Sequence, residues 1–405
     1  MAMHKDYDII IVGAGLVGLA CAVALAELPL KIAIIENQEP NFNWSGETFD
    51  LRVSAINAAS LHMLQKFKLW QEVRQQRLSS YEKMLVWVDN TNLEFTAASI
   101  NRPELGFIIE NRVLRKVLWD KVKQQSNIQL LCPLKLAAVA IDDVMAQLST
   151  TENKTLCTNL IIAADGPNSW LRQQLKLTSK THDYHHHALV TTVKTAQPHQ
   201  QTAWQHFLPQ GPLAFLPLSD PHYCSIVWST HASQAEELQQ CPKAAFNHAI
   251  TAAFNNRLGQ VSVQAARISF PLIMQHLKNY VAPHLAFIGD AAHRIHPLAG
   301  QGVNLGFMDA LCLAENIKTA LHQEKDFAAL TSLQRYQRER KYYNTKLLIL
   351  MDVLKTSFHL KSKTLSQLRN LAMQSIERQM PIKRLLIKQA LGIEQLPDNY
   401  LAKIM

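Results

Sequence analysis

The first apolar run of the chain, Tyr7–Val12, is rich in isoleucine and stops abruptly at Gly13. Three glycines follow at fixed spacing, then an apolar stretch without a strand's alternation to about Leu28, then a second short run, Lys31–Glu36, ending on an acid. Strand, glycine turn, helix and strand in that order predict a βαβ opening and a parallel sheet. From Ile9 to Ala26 no residue is charged, as in a signal peptide or membrane span. Asp6 and Asp8 beside Lys5 make a poor basic flank, and the glycines interrupt the run, so a buried strand and helix explain it better. Two later apolar runs end in the same way: Leu160–Ala164 in Asp165-Gly166, and His284–Ile288 in Gly289-Asp290. Parallel sheets present ligands with the carboxyl ends of their strands, and segments this far apart imply a discontinuous domain.

Between them, Thr181–Phe270 changes character. Its β-rich pieces, Ala188–Val193, Ala214–Leu218 and Cys224–Trp228, are punctuated by Gly211-Pro212 and Pro217. They predict an inserted mixed or antiparallel sheet covering a substrate pocket. Beyond Asp309 the chain reads as helical, with few breakers before Pro381; Leu347, Met351, Leu354 and Phe358 recur at helical spacing among Lys346 and Lys355.

Composition changes this picture in two respects. Six scattered cysteines without a Cys-x-x-Cys pair read as free, mostly buried thiols in a reducing compartment. The net charge of +9 resides in the tail, because residues 331–405 hold 14 basic and 5 acidic residues while the remainder balances. A solvated helical face and a surface for anionic lipid or an acidic partner both fit that excess. Nucleic acid is disfavoured, since no recognition motif accompanies the charge.

In Gly13-Ala-Gly15-Leu-Val-Gly18, Gly13 permits the tight turn, Gly15 admits a pyrophosphate and Gly18 allows close helix packing. Glu36 closes the next strand, where a carboxylate accepts from ribose hydroxyls. FAD and NAD both remain open at this point. The later run Gly289-Asp290-Ala-Ala-His293-Arg-Ile-His296-Pro297-Leu-Ala-Gly300-Gln301-Gly302-Val303-Asn304-Leu-Gly306-Phe-Met-Asp309 decides between them. It offers a strand-end carboxylate, a proline-set turn, and glycines that let backbone amides crowd a planar ring. A simple dehydrogenase has no use for this second glycine site.

With these motifs, and with Asp50-x-Arg52 and Gly211–Leu218, the whole chain resembles the FAD-dependent aromatic hydroxylases, specifically the 2-polyprenylphenol hydroxylases of ubiquinone biosynthesis. The resemblance implies an α/β, para-hydroxybenzoate-hydroxylase-like fold: a Rossmann-like FAD-binding domain, an inserted mixed β-sheet substrate domain and C-terminal helices. The expected divisions are 1–70, 96–180 and 271–330 for FAD, 71–95 and 181–270 for substrate, and 331–405 as a basic helical region. It further implies that Glu36 binds the adenosine ribose, Arg52 lies along the FAD near its phosphates, and Asn111 faces the cofactor. Asp165 and Gly166 would organise FAD and the visiting NAD(P)H. Asp290 would hold the ribityl chain, while Pro297, Gly300, Gln301, Gly302, Val303 and Asn304 border the isoalloxazine. The implied reaction adds one oxygen atom of O₂ to a polyprenylated phenol through a flavin hydroperoxide, with the cofactor carrying the hard chemistry. Related hydroxylases often carry Thr where this chain has Arg294, and some carry Arg where it has Met308.

The implied partners are the phenol, O₂ and other proteins of ubiquinone biosynthesis. The implied location is cytoplasmic, with peripheral contact at the inner face of the membrane or with a lipid carrier; a homo-oligomer is left open. His296 and Tyr223 are candidates for deprotonating the phenol, but packing or turn roles suit them better, so no catalytic acid or base is named. In the cluster His182, His185, His186 and His187, the three adjacent histidines would alternate across a strand and cannot all ligate one metal, so no metal is expected. Trp204, Phe207, Phe215 and Trp228 read as pocket or core aromatics. Two alternatives stand beside the polyprenylated phenol: a small soluble aromatic substrate, or a non-catalytic flavin-binding assembly subunit.

Overall fold

The computed structural model describes residues 5–46, 48–294, 302–358 and 363–396; His296, Pro297, Gly300 and Gln301 lie outside them, as do the side chains of Met351, Leu354, Lys355 and Phe358. Five parallel strands form the heart of an eight-stranded sheet in the order Leu285–Phe287, Thr155–Ala163, Tyr7–Val12, Ile32–Ile35 and Ile128–Leu131. Ile9, Ile10, Ile11, Ile32, Ile34, Ile161 and Ile162 are fully buried. A parallel sheet covered on both faces requires this continuous apolar run in place of alternation. The first helix, Leu16–Leu25, packs against Asn111–Lys123 and Gly302–His322. It ends three residues before the expected Leu28, in a turn where Leu28 N donates to Leu25 O. Thr155–Ala163 begins five residues before the expected Leu160, because its first half pairs antiparallel with Ala146–Thr150.

The insert is a nine-stranded, mostly antiparallel sheet built on the 17-residue strand Ser179–Thr195. Its neighbours Ile268–Leu277 and Tyr223–His231 lead to Gly211–Pro217 and Thr202–Leu208. Lys83–Val88 then joins parallel to Thr202–Leu208, and Thr91–Thr96 closes that edge. Two helices, Ala232–Gln240 and Lys243–Ala253, that the β-rich reading of this segment did not include follow Tyr223–His231. Phe246, Ile250 and Phe254 bury one sheet face against Leu189, Phe215, Ile226 and Trp228, with Trp204 half-buried beside them. A small third sheet, Val53–Ile56, Leu78–Tyr81 and Gly106–Glu110, lies across an apolar seam from the insert: Phe49, Val53, Ala55 and Ile108 meet Ala203, Leu216, Leu218 and Tyr223.

The α/β fold with an inserted mixed sheet and C-terminal helices is therefore the observed architecture. The tail is helical over Leu330–Phe358, Lys363–Arg378 and Met380–Ala390. Pro381 starts the last of these helices instead of ending one, as its fixed φ and missing N–H allow in a first turn. Lys363–Arg378 covers the sheet edge: Met373 is buried with Val86, Val88, Leu93 and Phe207, and Glu377 accepts from the edge-strand Glu94 N–H at 2.9 Å. No helix among the described residues is long and apolar enough to cross a membrane.

Candidate functional site

Four neighbouring parallel strands deliver their polar ends to one rim, in the order Gly289-Asp290, Asp165-Gly166, Gly13 and Glu36. Close packing holds them together. A Cβ on Gly18 would lie 2.0 Å from Gly13 O, and one on Gly306 would lie 2.4 Å from Val17 Cγ2. Gly13 itself, at φ +105, abuts the Ala164 carbonyl. Gly15 and Gly166 behave differently, with nothing within 4 Å of an added Cβ; at Gly302 such an atom would meet Asp290 Oδ1 at 4.0 Å. One set of glycines thus closes the protein on itself, and the other opens it towards a ligand.

Glu36 Oε2 accepts from Ala14 N at 3.0 Å and from Arg115 Nη2 at 3.2 Å, while Arg115 Nε donates to Ala14 O. Arg115, one helical turn after Asn111, was not foreseen from sequence, where nothing connects it to Glu36. Asn111 Oδ1 accepts from Ser54 Oγ at 2.7 Å. Arg52 is exposed and close enough to Asp290 to favour its charged form. Its loop is held by Asp50, which accepts from Arg52 N and Arg112 N, and by buried Glu110, which pairs with Arg77 at 2.9 Å and Arg112 at 2.7 Å. Asn304 is turned inward: Nδ2 donates to Ala55 O at 2.7 Å and Oδ1 accepts from Asn57 N. Val303 is half-buried at the start of the same helix.

The two acidic loops are tied together by buried Arg172, which donates to Pro167 O and to Ala291 O. Asp165 accepts from Leu171 N with Oδ2, while its buried Oδ1 has no partner, and burial raises its pKa. Burial also raises the pKa of Asp290, opposed by His293, Arg294 and Arg52. Beneath them Asp309 is fully paired: Oδ2 takes Gly289 N at 3.0 Å and His293 Nε2 at 2.5 Å, and Oδ1 takes Arg340 Nε at 2.7 Å. Burial alone would raise its pKa; His293 and Arg340 outweigh that and hold the carboxyl well below its usual range. Asp309 closed the motif in sequence, but its strut role required Arg340, from a helix outside the motif.

Other sequence candidates scatter. Tyr223 packs on Phe49 at 5.5 Å in the seam. The histidine strand does not alternate simply: it bulges between Asp183 and His187, with His185 at φ +54. Among the described residues no group of three His, Cys, Asp or Glu could hold a metal.

The fit to a flavin dinucleotide rests on three features: the orphan Asp165 Oδ1, open space at Gly15 and Gly166, and the amides of Leu16–Leu25, whose N-cap Gly15 supplies no side-chain acceptor. Fold and rim together define a dinucleotide-binding α/β protein whose strand-end site fits FAD. An FAD-binding domain model matches residues 6–349. The Escherichia coli K12 3-demethoxyubiquinol 3-hydroxylase is 35% identical over 391 residues, covering 96% of this chain and 100% of that protein. The human mitochondrial ubiquinone biosynthesis monooxygenase COQ6 is 32% identical over 428 residues, covering 93% and 91%. The solved p-nitrophenol 4-monooxygenase of Pseudomonas putida DLL-E4 superposes with a TM-score of 0.78 over 96% of this chain and 99% of its own, at 17% identity. The chain belongs to the FAD-dependent hydroxylases of ubiquinone biosynthesis, aromatic-ring monooxygenases that use FAD.

Proposed function

We propose that the chain hydroxylates the ring of a polyprenylated phenol in ubiquinone biosynthesis, with NAD(P)H and O₂ as co-substrates. The observation carrying this reading is the similarity to the E. coli hydroxylase, which spans all of that protein and so includes rim, insert and tail together. When bound, FAD supplies the chemistry, accepting a hydride from NAD(P)H and activating O₂.

On this reading the chain's own residues bind, orient and exclude water. Glu36, braced by Arg115, holds the adenosine ribose; Gly13, Gly15 and Gly18 shape the pyrophosphate turn; Arg52 and Asn111 line the cofactor's length. Asp165 and Gly166 serve FAD and NAD(P)H, Asp290 the ribityl chain, and Pro297 with Gly300, Gln301, Gly302, Val303 and Asn304 the isoalloxazine. The domain divisions expected from sequence are kept as part of this reading; the sheet of the insert begins at Ser179, takes in Ile268–Leu277 and His293–Arg294, and leaves Leu78–Tyr81 to the third sheet.

The test supplies purified protein with NAD(P)H, O₂ and either a short-chain prenylphenol or a hydroxybenzoate. Ring oxygenation of the prenylphenol, seen as one added oxygen by mass spectrometry, is expected. Oxygenation of the benzoate alone would overturn the substrate class, and retained flavin without turnover on either would favour the assembly role. The quinone intermediate that accumulates in cells lacking the protein then identifies the ring carbon.

A further inference from the structure

The helices Lys363–Arg378 and Met380–Ala390 expose apolar as well as basic side chains. Four large apolar side chains stand exposed on them: Leu371 at 60%, Met380 at 42%, Ile382 at 38% and Leu385 at 62%. In Met380–Ala390 the inward side is Lys383 and Ile387, the latter packed with Ala58, Ala97, Leu105 and Leu391. The outward side carries Ile382, Leu385 and Lys388 at three-residue spacing, with Arg384 between them. In the adjoining Lys363–Arg378 helix, Met373 points inward, while Leu371 and Arg378 stand outward.

Basic residues dominate the charge of these helices. Residues 363–390 contain six basic residues and one acid, Glu377. That acid pairs with Lys383 Nζ at 2.9 Å and accepts from the Glu94 N–H, and Arg369 pairs with Asp89 at 2.8 Å. Aliphatic side chains interleaved with the remaining cations suit the headgroup and upper acyl region of an anionic bilayer. A conventional protein interface depletes Lys at its core and balances charge between partners. A polyanionic plane needs no such matching.

We propose that the outward face of residues 363–390, with Leu371, Ile382 and Leu385 as aliphatic contacts and Arg378 and Lys388 as charge contacts, docks the protein on an anionic lipid bilayer. Lys363–Arg378 rests on Thr91–Thr96, the outer strand of the insert sheet, so docking brings that edge near the lipid. This deepens the polyprenylated-substrate reading, since such a substrate partitions into lipid.

Deleting the helices would uncover the sheet edge, so substitutions are the better test. Arg384 is left in place because its Nε donates to Ser99 O. Flavin-loaded protein is floated with phosphatidylcholine vesicles, with and without phosphatidylglycerol. Wild-type protein is expected to float with the anionic vesicles and to be released by salt. R378Q/K388Q should weaken binding roughly thirtyfold, and L371S/L385S at least tenfold at low salt, with flavin content unchanged in both. No flotation, or flotation indifferent to lipid charge and to both variants, overturns the proposal. So does a changed oligomeric state of L371S/L385S in light scattering with vesicle binding intact, which would assign the face to a second copy. Turnover of a short-chain prenylphenol, measured in parallel without vesicles, separates failure of docking from failure of the hydroxylase reading.

Discussion

Asp309 and Asp165 are both taken out of water beside the same strand ends, and their surroundings drive them in opposite directions. Asp309 lies in the floor, where Gly289 N–H, His293 and Arg340 saturate it and keep it ionised. Asp165 lies in the rim, where one oxygen has no partner and burial pushes it towards its neutral form. The glycines divide along the same line: Gly18 and Gly306 are packed too tightly for any side chain, while Gly15 and Gly166 face open space. A buried polar group that is satisfied holds structure, and one left unsatisfied beside open space is available to a ligand. The floor should therefore respond to mutation through stability and the rim through cofactor affinity.

The largest effect should come from the floor. Asp309→Asn leaves Arg340 short of a counter-charge in the interior and should cost about 3–5 kcal/mol in urea unfolding. The double replacement D309N/R340M should cost less than the sum of the two single changes, because the second change removes a charge that the first has already stranded. Additive losses would remove the pairing argument. Gly18→Ala should cost about 3 kcal/mol through its clash with Gly13 O, at the upper end for overpacking.

Rim substitutions should separate from these. Asp290→Ala should weaken FAD binding roughly tenfold to a hundredfold, the range for one charge-assisted hydrogen bond. Flavin content after dialysis reports it, and the unfolding midpoint of flavin-free protein should stay put. Gly15→Ala should change flavin-free stability by less than about 0.5 kcal/mol while lowering flavin content, since its backbone is extended and its surroundings empty. Full flavin retention in Asp290→Ala would strip that residue of its role.

The smallest and sharpest test is pH. The folded pKa of Asp309 is depressed, so its stabilisation is present above the unfolded value of about 3.9 and is lost as pH falls towards the folded value. The folded pKa of Asp165 is raised, so its contribution is present below about 3.9 and is lost as pH rises through the folded value. In flavin-free protein, Asp309→Asn should thus flatten the acid limb of the stability profile. Asp165→Asn should raise stability near neutrality. Unfolding midpoints measured from acid to neutral pH distinguish the two.

Local features of the chain determined a good deal. An isoleucine-rich run stopped by glycines must make a buried strand and turn, because apolar continuity and φ requirements act within a few residues. Gly13–Gly18, Glu36, Asp165-Gly166 and Gly289-Asp290 were therefore legible, and so was the parallel sheet. The inserted sheet was legible through its β-rich pieces and Pro/Gly breaks, though Ala232–Gln240 and Lys243–Ala253 were not. Their amphipathic faces become decisive only against Leu189 and Phe215. Tertiary structure alone decided which polar groups met across long stretches of chain: Arg115 with Glu36, Arg172 with Ala291, Arg340 with Asp309. Hydrogen bonding and charge pairing act over a few ångströms in space, and separation along the chain says nothing about that distance. The tail shows the same division. Its basic excess was plain from composition, but folding decided that Glu377 pairs with Lys383 while Leu371 and Leu385 remain outside.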